Sequence, residues 1–115
     1  MSDERRHDAR TKPIVPPNVQ ITLVVGEQEI PVSSVDDVSP FGLGVHVADS
    51  LPSQTPVDIR VTMEGGELRL SGTIVWNQAT ARDAADPLSA YRLGIYLNPE
   101  AMEENMAFYK IFTGR

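Results

Sequence analysis

The chain has 115 residues, no cysteine and a formal net charge of −6. That length suits one domain with a single core, and the missing cysteine excludes a disulfide framework, a thiolate zinc site and a cysteine nucleophile. Sixteen carboxylates against ten Lys and Arg argue against a general binder of long nucleic acid, whose affinity rests on many phosphate contacts.

The first residues, MSDERRHDAR, hold no apolar stretch, so no signal peptide is expected. No apolar run approaches the ~20 residues that span a bilayer, so no membrane insertion is expected. The lack of cysteine suits a reducing compartment, and a cytoplasmic location is the expectation. Between Asp3 and Lys12 the basic residues Arg5, Arg6, Arg10 and Lys12 outnumber Asp3, Glu4 and Asp8, giving that segment +1 and residues 13–115 −7. A solvated, flexible terminus is one reading of this arginine-bearing arm. Pro13, Pro16 and Pro17 favour extended backbone, so residues 1–17 read as arm and connector.

Six alternating segments follow. Val19, Ile21, Leu23 and Val25 have the period of a half-buried strand. A turn at Gly26-Glu27 leads to a second strand from Ile30 and Val32 toward Val35. Leu43, Val45 and Val47 mark a third. A loop from Asp49 to Pro56 precedes Val57, Ile59, Val61 and Met63, and Gly65-Gly66 joins that strand to Leu68, Leu70, Gly72, Ile74 and Trp76 as a hairpin. This alternation makes Trp76 a core or barrel-rim residue whose indole N–H needs a partner. Residues 77–90 read as the longest loop, and Tyr91, Leu93, Ile95 and Leu97 as the sixth strand. The period then changes. Asn98 can cap a helix, Pro99 suits its first turn, and Glu100, Glu103 and Glu104 favour its N-terminus. Met102, Met106 and Tyr109, with Phe112 or Thr113, predict its apolar face, the methionines serving for packing, and Gly114 its end. Six short strands with regular turns predict an antiparallel barrel or sandwich over residues 18–98. The helix, residues 99–115, is expected to plug an open end or cover an edge.

Little supports catalysis. His7 lies in the arm and His46 reads as a surface residue of its strand. Two isolated histidines do not make a zinc site, and no nucleophile elbow or phosphate loop is present. Asp36 and Asp37 are adjacent on a strand, where neighbours point to opposite faces, so they are not an acid–base pair. No enzyme activity, metal or cofactor is expected.

The segment Asp37-Val38-Ser39-Pro40-Phe41-Gly42 falls between two strands. Asp and Ser before Pro favour a turn, and Gly42 would permit a positive φ or the close approach of a ligand. Physics alone leaves a purely structural turn open.

Arg5-Arg6-xxx-Arg10 and, twenty-seven residues later, Asp37-x-Ser39-x-x-Gly42 together resemble the two signature motifs of the PilZ domain, RxxxR with a preceding arginine and D/N-x-S-x-x-G. Gly42-Leu43-Gly44-Val45, Gly72-Thr73-Ile74-Val75-Trp76 and Arg92-Leu93-Gly94-Ile95 are similar to that family's strands. The resemblance, from Glu4 to the final helix, implies an all-β fold: a six-stranded antiparallel Greek-key barrel with one C-terminal helix. It implies a bacterial receptor for cyclic di-GMP, with Arg6 and Arg10 on guanine and phosphate. Asp37 would accept from guanine, Ser39 would supply a donor, Gly42 would give room, and Arg5 would accompany a stacked ligand dimer. The chemistry fits a flat, dianionic dinucleotide: arginine offers a planar fork to guanine O6 and N7, and a carboxylate complements the N1–H and N2–H donors. The implied protein is a single-domain receptor, monomer or homodimer, that signals by contact to an unidentified downstream protein in motility or biofilm regulation. The alternative within the family is a protein-interaction adaptor, related to motility or pilus assembly, that has lost or weakened nucleotide binding. A barrel for single-stranded nucleic acid would need aromatic platforms on a basic groove, whereas aromatics are 6% of this chain and three of seven lie in the final helix.

Overall fold

Alternating apolar side chains build the six strands, and the computed structural model describes residues 18–80 and 90–113. The strands are β1 (Gln20–Val25), β2 (Gln28–Ser39), β3 (Gly42–Val47), β4 (Pro56–Met63), β5 (Gly66–Ala79) and β6 (Tyr91–Leu97). All neighbouring pairs are antiparallel, and the order β1-β2-β3-β6-β5-β4 closes into a barrel through the β1–β4 pair. Closure leaves no edge strand to protect. Leu23, Ile30, Val45, Ile59, Ile74, Leu93 and Leu97 point inward and are fully or almost fully buried. The β4–β5 hairpin turns at Gly65, whose φ of +93° suits a residue without a side chain.

Two strands are longer than their alternation suggests. β2 runs on through Ser39, so the Asp37–Gly42 segment is the end of a strand and a tight turn into β3. β5 runs on to Ala79, which shortens the loop expected over residues 77–90. Both strands carry bulges. In β2 the register against β3 shifts between Val32 and Ser34 and again between Val35 and Asp37, leaving Ser33 and Asp36 as extra residues. In β5 the register against β6 shifts between Ile74 and Trp76, leaving Val75 as the extra residue.

A 3₁₀ turn (Pro99–Ala101) leads into α1 (Met102–Thr113). Asn98 caps it as expected: its Oδ1 accepts from the Glu100 amide at 3.0 Å. The buried face matches the expected one at Phe112 and Thr113 and differs from it elsewhere. Asn105, Phe108, Phe112 and Thr113 are buried, while Met102, Met106 and Tyr109 are half-buried. Phe108 and Phe112 join the barrel core, with ring centroids 4.7 Å apart, so the helix closes one end of the barrel. The polar Asn105 is satisfied in part: its Nδ2 donates to the Asn98 carbonyl at 2.9 Å, while its buried Oδ1 has no partner among the described residues. Gly114, the expected helix end, lies outside the described residues. No described helix is long and apolar enough to cross a membrane.

Candidate functional site

On the outside of the barrel β2, β3, β6 and β5 lie side by side, and their registers arrange outward-facing residues in three rows. The first row is Ser39, Gly42, Tyr96 and Thr73. The second is Asp37, Gly44, Gly94 and Trp76. The third is Ser34, His46, Arg92 and Gln78. Two glycines at the centre of the second row leave a low floor. A Cβ on Gly44 would come within 3.3 Å of Asp37 Oδ1, so the Asp37 carboxylate lies over that glycine. A Cβ on Gly94 would overlap the Trp76 indole at Cε2 and Nε1, so the indole lies directly on that glycine.

The bulges decide what faces outward. Without the extra residue Asp36, Asp37 would point into the barrel; with it, Asp37 pairs Gly44 on the outer face. Both carboxylates thus face outward, which corrects the expectation that Asp36 and Asp37 point to opposite faces. Asp36 Oδ2 accepts from His46 Nε2 at 2.9 Å and also from Arg92 Nε. The Val75 bulge likewise turns Trp76 out of the alternation that read it as a core or barrel-rim residue. Trp76 is 37% exposed, with the Arg92 guanidinium 5.3 Å from its ring centroid. That distance is within cation–π range.

The turn residues have specific jobs. Ser39 is 3% exposed, and its hydroxyl accepts from the Phe41 amide at 3.1 Å and donates to the Gly42 carbonyl at 3.4 Å. It is spent on closing the turn. Gly42 has no positive φ. The described glycines with positive φ are Gly26 and Gly65. A Cβ on Gly42 would come within 2.5 Å of the Ile95 carbonyl oxygen, so glycine is required by the close approach of β6. Arg5, Arg6 and Arg10 lie outside the described residues.

Charge also has a pattern. The described residues include four Lys and Arg and eleven Asp and Glu. Three of those cations are ion-paired: Arg60 with Glu29 at 3.0 Å, Arg69 with Glu67 at 2.5 Å, and Arg92 with Asp36. The fourth, Lys110, is on α1. A cleft of about 560 Å³ between β4, β5 and the 3₁₀ turn holds Arg60 and Arg69, but also Asp58, Glu100 and Glu104. The hydrogen bond to Glu67, with its charge, raises the Arg69 pKa further above its ordinary value. Both arginines of that cleft are already engaged, so it suits a dianion poorly.

Sequence reasoning found Asp37, Ser39 and Gly42, which the fold brings together at the β2–β3 turn. It missed Trp76, Arg92, Asp36 and the glycine floor. One signal was present: the inward residues of β2 are Ile30, Val32, Val35 and Val38, and a spacing that lengthens from two to three marks inserted residues.

Comparison with known proteins agrees with this architecture. The fold is similar to that in "Crystal structure of PilZ domain of CeSA from cellulose synthesizing bacterium", with a TM-score of 0.58 at 20% identity, covering 91% of this chain and 95% of that chain. No curated protein matches the chain. The PilZ domain family matches residues 4–105, which is most of the sequence, and the chain belongs to that family.

Proposed function

We propose that this protein is a cyclic di-GMP receptor that binds the dinucleotide on the outer face of β2, β3, β6 and β5 and signals to a protein partner from the cytoplasm. It binds and does not catalyse. The observation that carries this reading is the middle row: an Asp37 carboxylate and a Trp76 indole at the two ends of a glycine floor. Asp37 would accept from guanine N1–H and N2–H. Trp76 would offer a stacking face, a contact of ~1–3 kcal/mol per base. Ser39 and Gly42 serve by fixing the turn that holds Asp37 in place.

The phosphates need cations, and three of the four on the described residues are already paired. Arg6 and Arg10 would supply them, with Arg5 toward a second, stacked ligand. Eight residue steps lead from Arg10 to Asn18. At full extension they span up to about 27 Å, enough to reach across a small barrel's face. Where binding orders a chain segment, the cost is ~2–5 kcal/mol of the gross interaction energy. Micromolar affinity is about −8 kcal/mol net. Two or more charge-assisted arginine contacts would leave that surplus.

Calorimetric titration tests the reading. Saturable heat is expected with cyclic di-GMP and none with GTP. Arg6→Ala and Arg10→Ala are each expected to abolish measurable heat at moderate ligand concentration. Near wild-type affinity in both variants removes the site assignment. Silence of the wild-type chain with both ligands favours the adaptor reading, which the exposed Phe41, Val75 and Tyr96 would serve as contact residues.

A further inference from the structure

One carboxylate oxygen of Asp36 holds two side chains at once. Its Oδ2 accepts from His46 Nε2 and from Arg92 Nε. The four groups of this cluster come from four different strands: Asp36 from β2, His46 from β3, Arg92 from β6 and Trp76 from β5. A carboxylate accepts only, so His46 carries its proton on Nε2. His46 Nδ1 is buried and has no hydrogen-bond partner among the described residues. The imidazole therefore serves Asp36 and no other described group. On its other side, Asp36 fixes Arg92 by Nε, the nitrogen nearest the side-chain stem. The guanidinium is thereby held in one orientation over the Trp76 ring. The terminal nitrogens of Arg92 have no hydrogen-bond partner among the described residues. The indole lies on Gly94, where no side chain supports it from the strand beneath. Among the described residues, Arg92 lies against its ring.

We propose that Asp36 is a positioning residue for ligand binding: clamped by His46, it locks Arg92 against Trp76, so that the indole stays seated on Gly94 and the Arg92–Trp76 pair together forms the platform for a guanine base. The inference rests on the reading of the outer face as the cyclic di-GMP site. It assigns a task to a residue outside both sequence motifs. The bulge at Asp36 is what makes the arrangement possible, since it puts Asp36 and Asp37 on the same face with different jobs. Asp37 faces the ligand, and Asp36 faces the side chains that shape the site.

Trp76 is the single tryptophan of the chain, so its fluorescence reports the platform without interference. Acrylamide quenching and anisotropy are measured on the free full-length protein, and the dissociation constant for cyclic di-GMP by calorimetry, for wild type, Asp36→Ala, Arg92→Lys and the double variant. Asp36→Ala is expected to raise quenching, lower anisotropy and weaken cyclic di-GMP binding about tenfold, the scale of one hydrogen bond to a charged group. Arg92→Lys, which keeps the charge but loses the planar fork, is expected to do the same. The double variant is expected to be no worse than either single change, because both break one linkage. Far-ultraviolet circular dichroism checks that each variant is folded. Unchanged quenching in folded Asp36→Ala overturns the proposal whatever happens to affinity. Changed quenching with wild-type affinity also overturns it. If the wild-type chain binds no cyclic di-GMP, the functional reading fails by itself, while the quenching comparison still decides whether Asp36 sets the indole.

Discussion

Two glycines two residues apart on β3 separate a structural demand from a functional one. Gly42 faces the β6 backbone, and a methyl group there meets the Ile95 carbonyl oxygen at 2.5 Å. Backbone cannot move aside cheaply, so Gly42→Ala is expected to destabilise the fold by ~1–3 kcal/mol in urea titration. Gly44 faces the end of a side chain, Asp37 Oδ1 at 3.3 Å. A carboxylate can shift by a few tenths of an ångström, so Gly44→Ala is expected to leave the urea midpoint nearly unchanged. The same shift moves the acceptor that guanine would meet, and cyclic di-GMP affinity is expected to fall several-fold. The opposite pattern, a stable Gly42→Ala and an unfolded Gly44→Ala, would contradict the packing described. At this scale the sequence announced the glycine at 42 but not its reason. The oxygen that excludes a side chain there belongs to Ile95, fifty-three residues away in the chain.

Elements show where a linear reading succeeds and where it slips. The strands themselves were legible because strict alternation has few explanations, and the cap at Asn98 because an Asn before Pro-Glu satisfies a helix start in a local way. The phase of each element was less so. In β5 the run Leu68, Leu70, Gly72, Ile74, Trp76 is faultless alternation, yet one inserted residue at Val75 sends the tryptophan outward. The insertion is defined by pairing with β6 and has no local signature. In α1 two adjacent stripes are both apolar, and the polar Asn105 in the buried one pointed to the wrong stripe. The helix therefore offers a clean test. Phe108 is fully buried in the barrel core, and Phe108→Ala is expected to lower stability by ~3–5 kcal/mol. Met106→Ala, on the half-buried stripe, is expected to remove about 1 kcal/mol or less. Equal losses in chemical unfolding of the two variants would restore the methionine stripe as the buried face.

Over the whole molecule, the proposed reading assigns stability and charge recognition to different stretches of chain. The apolar cluster is built from β1 to β6 and α1, together with Leu51 of the loop before β4. The same described residues are strongly acidic, with eleven carboxylates against four cations. On the proposed reading the arginines that neutralise the dinucleotide are Arg6 and Arg10, within residues 1–17. This division makes a prediction for a chain that begins at Asn18. It keeps every residue of that cluster, so cooperative thermal unfolding is expected with a midpoint within about 5 °C of the full chain, the shift that a change near 1 kcal/mol produces in a domain of this size. Its outer face keeps Asp37 and Trp76 but repels a dianion, so calorimetry with cyclic di-GMP is expected to be silent. A full-length chain with Arg6→Lys and Arg10→Lys sharpens the point. It restores the charge without the planar fork, and recovery of only a small part of the affinity is expected, because lysine meets phosphate as a point charge and cannot pair guanine O6 and N7 as arginine does. A shortened chain that binds like the full one would place the cations elsewhere on the barrel, and one that fails to fold would make the first seventeen residues part of its core.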